Sequence, residues 1–408
     1  MRTFPKLIIT DKGEHSLRSG HPWVYADEVL TADGYQNGDI VDVYSRKERY
    51  LGSGFVNDHS KIRVRILSRN ANDRFDDLFW ERRLRYAIAY RKTVMGDTDF
   101  RCCRLIFGEA DTFPGLTIDR FEDVLVVQIL SLGIERRRDL LISLTVKILR
   151  EMGETVRVVY LRNDVAIREL EGMKQEVGYY HGEGLATEAE DSGKVIITEN
   201  GIQFEVDYIY GKKTGFFLDQ KYNRQAVAKL AKGRCVLDCY TYSGTFALNA
   251  LMGGARHVTA VDPSRGAIEQ THANACRNAL EGNLSLLCED VFELLTKLSK
   301  ERRSPYDFII LDPPAFTKSR AMVQDAYRAY KELNGKAMRL LPRGGYLATC
   351  SCSHFIEDDL FCRMLKEAAI EAQVSLRQIE ARQQSPDHPI LWSVPETDYL
   401  KFYLFQVV

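Results

Sequence analysis

Two short segments, each closing an apolar run, hold the residue types that could do chemistry. Asp312-Pro313-Pro314-Ala315-Phe316 follows the run Phe308 to Leu311, and Thr349-Cys350-Ser351-Cys352-Ser353 follows Gly345-Tyr346-Leu347-Ala348. An acid followed by two prolines ends a strand and stiffens the loop beyond it, because proline fixes φ and has no N–H for a ladder. A cysteine at the end of the next strand would lie beside that acid. Open parallel sheets bind ligands outside the carboxyl ends of their strands. The pair therefore predicts a site that holds a planar base with a carboxylate and attacks it with a thiolate. Carbon 5 of a pyrimidine is a poor nucleophile. A thiolate adding to carbon 6 makes it enamine-like, so that it can accept a methyl group. The thiol must ionise readily, and an acid must lie near nitrogen 3, where Asp312 is placed. Amine methylation needs no thiol and uses an aromatic ring directly after acid-Pro-Pro; that position here is Ala315, with Phe316 one residue on. A free cysteine is also a common small hydrophobe. Strand alternation puts Cys350 and Cys352 on one face, so periodicity does not choose between them.

A cofactor loop precedes these segments. Leu237-Asp238-Cys239-Tyr240-Thr241-Tyr242-Ser243-Gly244-Thr245-Phe246 joins a strand to a helix, with one glycine, Gly244, at the turn. Dinucleotide sites need G-x-G-x-x-G so that the backbone can approach a pyrophosphate. Two of those positions here are tyrosines, which suits a smaller ligand without phosphates. The next strand ends in Val261-Asp262, whose acid can accept hydrogen bonds from ribose hydroxyls. A third ends in Cys288-Glu289-Asp290, within reach of an exocyclic amine. Any one of Asp238, Asp262 and Asp290 reads equally well as a cap or turn residue. Together, at successive strand ends and followed by Asp312, they fit the adenosine of S-adenosylmethionine.

These segments need elements to position them. From Gly233 onward, Cys235 to Cys239, His257 to Val261, Leu284 to Cys288, Asp307 to Leu311 and Tyr346 to Cys350 alternate with helical stretches. That pattern predicts a doubly wound α/β domain with a mostly parallel sheet. Val374 to Ile379 and Tyr399 to Val407 read as an antiparallel edge pair on it. Val195 to Glu199 and Ile202 to Val206 flank Asn200-Gly201, a type I′ hairpin signal. His181 to Lys194 is polar and reads as a linker. Residues 104 to 180 read as an α+β unit, with strands at Leu116 to Asp119, Val124 to Leu130 and Val156 to Leu161 and a helix from about Glu135 to Met152. Before it, Ile62, Val64 and Ile66 alternate with Arg63 and Arg65, and several such strands suggest a small β-barrel. A helix from about Asp76 to Met95 would bury Leu78, Phe79, Leu84, Ala87 and Ile88.

Composition sets the frame for this reading. The chain has 408 residues, 45% hydrophobic and 28% charged, with a formal net charge of −1. That is a globular chain of two or three domains. Residues 61 to 104 hold twelve Lys/Arg against six Asp/Glu, a local excess that reads either as a phosphate footprint or as a solvated helix face. The nine cysteines are irregularly spaced and lack paired C-x2-C motifs, so no metal site is expected. No secretory leader or membrane-length apolar run is visible, which leads to the expectation of a cytoplasmic protein with reduced thiols and no membrane partner.

At these residues the chain resembles the bacterial three-domain 23S ribosomal RNA 5-methylcytosine methyltransferases, over essentially its whole length. Gly20-His21-Pro22-Trp23-Val24-Tyr25 is similar to their PUA signature. Gly108-Glu109-Ala110-Asp111, Phe113-Pro114-Gly115-Leu116 and Asp119-Arg120 are similar to their central-domain signature. Lys213-Thr214-Gly215-Phe216-Phe217-Leu218-Asp219-Gln220 with Asn223-Arg224 is similar to the loop before their cofactor site. The resemblance implies a PUA-like barrel over 1–72, a central α+β domain over 73–190 and a hairpin plus class I methyltransferase domain over 191–408. It implies S-adenosylmethionine as cofactor and 23S rRNA as partner, and leaves a homodimer open. Asp238, Tyr240, Ser243, Gly244, Asp262 and Asp290 would hold the cofactor, with Asp312 beside it. Lys213, Thr214, Gln220 and Arg224 would close over it or over the RNA. Asp312 would orient the base. The family's Ser-Cys-Ser step falls on Ser351-Cys352-Ser353 and favours Cys352 as nucleophile; the Thr-Cys-Ser step of the related Sun-type enzymes would favour Cys350. Those enzymes also carry a cysteine after the motif's proline, where this chain has Pro314-Ala315. The base that removes the carbon-5 proton is thus unassigned, and His354 reads as a loop residue. Two rival readings are a methyltransferase on another atom or substrate, and an RNA-binding assembly factor without catalysis.

Overall fold

The computed structural model describes residues 4–32, 34–300, 304–317 and 319–408; residues 1–3, where the expected barrel range begins, lie outside them. The chain divides into two compact units. The first comprises Met1–Ile197, Val206–Leu218 and Pro386–Thr397; the second comprises Thr198–Glu205, Asp219–Ser385 and Asp398–Val408. No helix among the described residues is long and apolar enough to cross a membrane.

The first unit holds two sheets. A six-stranded sheet runs in the order Trp23–Tyr25, Ile62–Ser68, Tyr50–Val56, Ile40–Tyr44, Lys6–Ile9, Val29–Ala32. It packs a core that includes Leu7, Ile9, Val24, Val41, Val43, Val56 and Val64. A five-stranded sheet runs in the order Glu176–Tyr179, Val158–Asn163, Val124–Ile129, Leu116–Phe121, Cys102–Phe107. The helical stretch Asp77–Asp99, interrupted by a kink at Gly96 (φ 67°), is capped by Asp76, whose side chain accepts from the Phe79 N–H at 3.0 Å. Its buried stripe is Phe79, Trp80, Leu84, Ala87, Ile88, Arg91 and Met95. Leu78 was expected in that stripe but is exposed, because the stripe passes through Phe79 and Trp80 and turns its neighbour outward. Trp80 stacks on Phe55 of the first sheet (6.1 Å) and meets the Phe113 ring at a tilt (6.0 Å). Arg65 donates to Glu171 at 2.9 Å. These contacts tie both sheets into one unit. The helix expected from Glu135 to Met152 is broken into Leu132–Glu135 and Arg138–Glu151. At the break, Arg137 leaves helical geometry and lays its guanidinium over Phe55, 4.7 Å from the ring centre.

The basic stretch from 61 to 104 is largely neutralised within this unit. Arg63, Arg65, Arg82, Arg85, Arg91, Lys92, Arg101 and Arg104 each face a carboxylate. Several of those acids, among them Glu109, Asp111, Asp119 and Glu122, lie outside the stretch, so counting charge within it overstates the excess. Among the described residues, Lys61, Arg69, Arg74 and Arg83 are left without one.

The second unit is a seven-stranded sheet in the order Leu284–Leu287, His257–Val261, Cys235–Cys239, Phe308–Leu311, Tyr346–Ser351, Lys401–Val407, Leu376–Arg382. The first five are parallel to one another. Lys401–Val407 is antiparallel to both neighbours and lies between them. The expected terminal pair is therefore present, but its second strand is inserted and only Leu376–Arg382 forms the edge. The hairpin Lys194–Glu199/Ile202–Asp207 turns at Asn200 and Gly201 with φ of 54° and 79°, as a type I′ turn requires.

Candidate functional site

The strand order reverses around Cys235–Cys239, which has His257–Val261 on one side and Phe308–Leu311 on the other. This is the topological switch point at which open α/β sheets bind ligands. Asp238, Asp262, Asp290 and Asp312 all stand at or beyond the carboxyl ends of these strands. The loop after Cys239 is a tight coil with left-handed residues at Tyr240, Tyr242 and Gly244, at φ of 64°, 51° and 80°. Two left-handed tyrosines carry local strain of the kind stored at ligand sites. The coil is pinned by Asp262, whose carboxylate accepts from the N–H of Tyr242 at 3.0 Å and of Ser264 at 2.9 Å. At Gly244 a Cβ would lie 2.6 Å from Thr271 Cγ2, so the turn into the Thr245–Met252 helix admits only glycine without displacement.

Asp238 is buried. Its Oδ2 accepts from Thr241 Oγ1 at 2.6 Å and from the Ala247 N–H at 3.0 Å, while its Oδ1 has no partner. Ser243 Oγ is likewise buried and unpartnered. Burial, with the nearby charges of Asp312 and Asp262, raises the Asp238 carboxyl to about 7. Buried polar atoms without partners are uncommon in folded proteins, and these two converge on the same loop. Burial also pushes the Tyr240 phenol upward. Asp290 is exposed and accepts from the Glu293 N–H at 3.0 Å, so it serves as a helix cap whatever else it binds. An amine and ribose hydroxyls on a ligand would complete this donor-poor, acid-rich set, which fits S-adenosylmethionine.

Asp312 is half-buried and accepts from Gln220 Nε2 at 3.1 Å; Gln220 in turn accepts from Asn223 at 2.6 Å. Leu311 lies opposite Thr349 in the ladder, which sets Asp312 beside Cys350. Cys350 has no exposed surface, and burial followed by the Asp312 charge pushes its thiol well above its ordinary value. Cys352 lies just past the end of its strand and is partly exposed. Phe316 packs its ring 4.6 Å from Tyr330 and 6.0 Å from Phe292. It is thus part of the core wall. The Tyr330 hydroxyl bonds Ser351 and Ser353 at 3.1 and 3.0 Å, fixing the segment on both sides of Cys352. His354 is exposed.

One residue of this site escaped the sequence reading. Lys401, opposite Ser351 in the ladder, is buried and donates to the carbonyls of Ser353 and Tyr399, each at 3.0 Å. Burial lowers its pKa, and nearby groups, Asp398 first and then Cys352, oppose that shift. A lone lysine inside Tyr399-Leu400-Lys401-Phe402-Tyr403-Leu404 was the available signal. Of the loop residues, Gln220 and Arg224 fall in the second unit with the acids, while Lys213 and Thr214 fall in the first. Thr214 donates to Asp119 at 2.6 Å, Lys213 lies over Phe217 at 4.6 Å, and Arg224 is buried in an ion pair with Glu199 at 2.6 Å.

Comparison with known proteins decides the family. Residues 179–406 match the model of the S-adenosylmethionine-dependent methyltransferases, and residues 7–69 match that of the PUA-like domain. A ribosomal RNA large subunit methyltransferase I of Aeromonas salmonicida is 39% identical over 95% of this chain and 96% of its own. The protein of that name from Aliivibrio fischeri is 36% identical over 97% of each. The chain belongs to this methyltransferase family. It is an S-adenosylmethionine-dependent enzyme with an N-terminal PUA-like domain. A putative methyltransferase of Streptococcus mutans and a putative methyltransferase solved with S-adenosylhomocysteine each share the fold at a TM-score of 0.81 and 21% identity, covering 98% of this chain and 100% of theirs.

Proposed function

We propose that this methyltransferase modifies carbon 5 of a cytosine in 23S rRNA, with Cys352 as the covalent nucleophile. The observation that carries the choice is the contrast between the two thiols. Cys350 is sealed and its thiolate disfavoured, whereas Cys352 is partly exposed, beyond the strand end, with the Lys401 amine close by. A cation beside a thiol favours the thiolate. Bound S-adenosylmethionine supplies the methyl group. Asp238, Asp262 and Asp290, with the Tyr240–Gly244 coil, hold the cofactor. As the Cys352 thiolate adds to carbon 6, Asp312 passes a proton to nitrogen 3, and Gln220 holds the Asp312 carboxyl in place. Carbon 5 then takes the methyl group as nitrogen 3 returns its proton to Asp312; a base not assigned among these residues removes the carbon-5 proton, the ring double bond re-forms, and the Cys352–carbon 6 electron pair returns to sulfur. Arg224 supports this site from the core through Glu199. The target cytosine must leave its stack to reach the thiol. Residues 1–72, 73–190 and 191–408 divide RNA contact, support and catalysis.

An inward-turned Phe316 and Ala315 after Pro314 disfavour methylation of an exocyclic amine, which would use a stacking ring there. The test is to incubate enzyme, cofactor and rRNA transcript carrying 5-fluorocytidine, which cannot lose its carbon-5 substituent. Wild type and Cys350→Ala should give a denaturant-resistant protein–RNA adduct, and Cys352→Ala none. An adduct that survives in Cys352→Ala but vanishes in Cys350→Ala would exchange the roles. Methylation at carbon 5 without adduct in any variant would end the covalent reading.

A further inference from the structure

The first unit carries a feature that methyl transfer does not use. Trp392 is 96% exposed, at the tip of a tight turn within Pro386–Thr397. Exposure of a whole indole is unusual, since tryptophan is among the most buried residues on average. The turn is held rigidly. The Val394 N–H donates to the Leu391 carbonyl at 2.7 Å, and the Thr397 hydroxyl accepts from the Leu391 N–H at 2.8 Å and donates to Val394 O at 2.7 Å. The Gly20-His21-Pro22-Trp23 motif seats it from the other side. Gly20 has φ +107°, and a Cβ there would lie 2.6 Å from Ser393 Cβ; His21 meets Glu396 at 3.3 Å. A solvent-facing ring on a turn whose backbone is already held binds a flat partner at a reduced ordering cost.

Charge beside the ring selects the partner. Leu391 and Ser393, which flank Trp392, line a cavity of about 350 Å³ together with Pro22, Ile66, Arg69 and Arg83. Arg83 also lines a second hollow of about 400 Å³ with Arg82, Tyr86 and Tyr90. Arg69 and Arg83 are two of the four cations of the basic stretch that face no carboxylate. Each gives one long bond to a carbonyl, Arg69 to His21 at 3.3 Å and Arg83 to Thr112 at 3.4 Å. The one acid of the cavity wall, Glu109, is matched by Arg65 at 3.2 Å. Burial lowers the pKa of both arginines, that of Arg83 to about 10 although the charge of Asp73 opposes the shift; Arg83 also lies over the Phe79 ring at 4.3 Å, and neither arginine has a carboxylate in ion-pair contact among the described residues. An exposed aromatic ring flanked by residues of a hollow that holds arginines without carboxylate partners offers an unpaired strand a surface for a base and cations for its phosphates.

We propose that this surface docks single-stranded rRNA, with one splayed base stacked on Trp392 and the adjoining phosphates on Arg69 and Arg83. This rests on the reading that the enzyme's substrate is RNA. It adds where the chain grips the RNA away from the reacting cytosine.

The experiment uses the full-length protein, whose three tryptophans make it specific. Trp80 is buried and Trp23 half-buried, so acrylamide reaches Trp392 foremost. An unstructured RNA of about 12 nucleotides, within the range one such groove spans, should quench that emission and shield it from acrylamide. Its blunt duplex should do neither. Trp392→Ala should remove both signals and weaken single-strand binding by about 5- to 150-fold, the range measured for one base stack. Trp392→Phe should keep most of the affinity. Arg69→Gln and Arg83→Gln should each lower the salt slope of binding by about one. Wild-type affinity in Trp392→Ala, or equal quenching by duplex, overturns the proposal. So does a loss confined to ribosomal particles, which would make the occupant a protein, or a change only in oligomeric state, which would make it a second copy. Methyl transfer from labelled cofactor to deproteinised 23S rRNA reads the function separately. Transfer with no Trp392 effect sinks the docking site alone, and Trp392-dependent binding without transfer sinks the catalytic reading alone.

Discussion

Gly244→Ala tests whether the cofactor coil is built as described, because its cost separates into parts. The backbone sits at φ +80°, where an L side chain costs about 1–2 kcal/mol. The new Cβ would also lie 2.6 Å from Thr271 Cγ2, an overpacking of about 1–3 kcal/mol. Together they predict a local destabilisation of about 2–5 kcal/mol. Thr271→Ser removes the clashing methyl and keeps the hydroxyl that donates to Tyr242 O at 2.9 Å. Alone it should cost about 0.5–1.5 kcal/mol, like other single buried methyl losses. In the double variant the closest remaining contacts are at 3.3 Å, so the steric part is relieved and the φ part remains. The cycle should show a favourable coupling of about 1–3 kcal/mol. All three tryptophans lie in the first unit, so their fluorescence does not report on this turn. Hydrogen exchange of the Thr245–Met252 amides does. Additive costs in the double variant would show that Thr271 is not what excludes a side chain at 244.

Three further outcomes follow from the site. Asp238 holds its proton to about pH 7 when folded and loses it near 3.9 unfolded. The cofactor-free protein should therefore lose stability between about pH 4 and 7, by up to about 1.4 kcal/mol per pH unit, and Asp238→Asn should flatten that fall in denaturant titrations. Asp262→Asn should weaken cofactor binding by calorimetry about tenfold or more, since a charge-assisted hydrogen bond is worth about 1.5–3 kcal/mol, while RNA affinity holds; unchanged cofactor affinity would make Asp262 only the pin of the Tyr240–Gly244 coil. Lys401→Met should move the pH profile of Cys352 alkylation by iodoacetamide upward, and an unmoved profile would remove Lys401 from any part in activating the thiol.

Much of this architecture is legible in the chain because its parallel strands are short apolar runs bounded by turn residues. Cys235–Cys239 and His257–Val261 fall where the pattern places them. The Asn200-Gly201 turn is encoded locally, and the acids at strand ends are visible as soon as the strands are. What the sequence conceals depends on pairing across distance. The cations after residue 61 meet acids from other segments, such as Arg91 with Asp111 and Arg104 with Asp119. Alternation could not rank Cys350 against Cys352, because their difference is burial, set by where the strand ends. Lys401 is hidden for the same reason: a lysine in an apolar run declares itself only once its two carbonyl partners are in place. Lys213 and Thr214 read as continuous with Gln220, yet the boundary between compact units passes after Leu218.

The insertion of Lys401–Val407 between Tyr346–Ser351 and Leu376–Arg382 has a consequence for biogenesis. The edge strand is synthesised before the strand that joins it to the sheet. Until residues 401–407 leave the ribosome, Tyr346–Ser351 offers an open edge, Leu376–Arg382 has no partner, and the segment carrying both cysteines lacks one wall. A nascent chain halted before residues 401–407 emerge thus exposes strand edges of the kind that invite pairing with other chains and that chaperones cover.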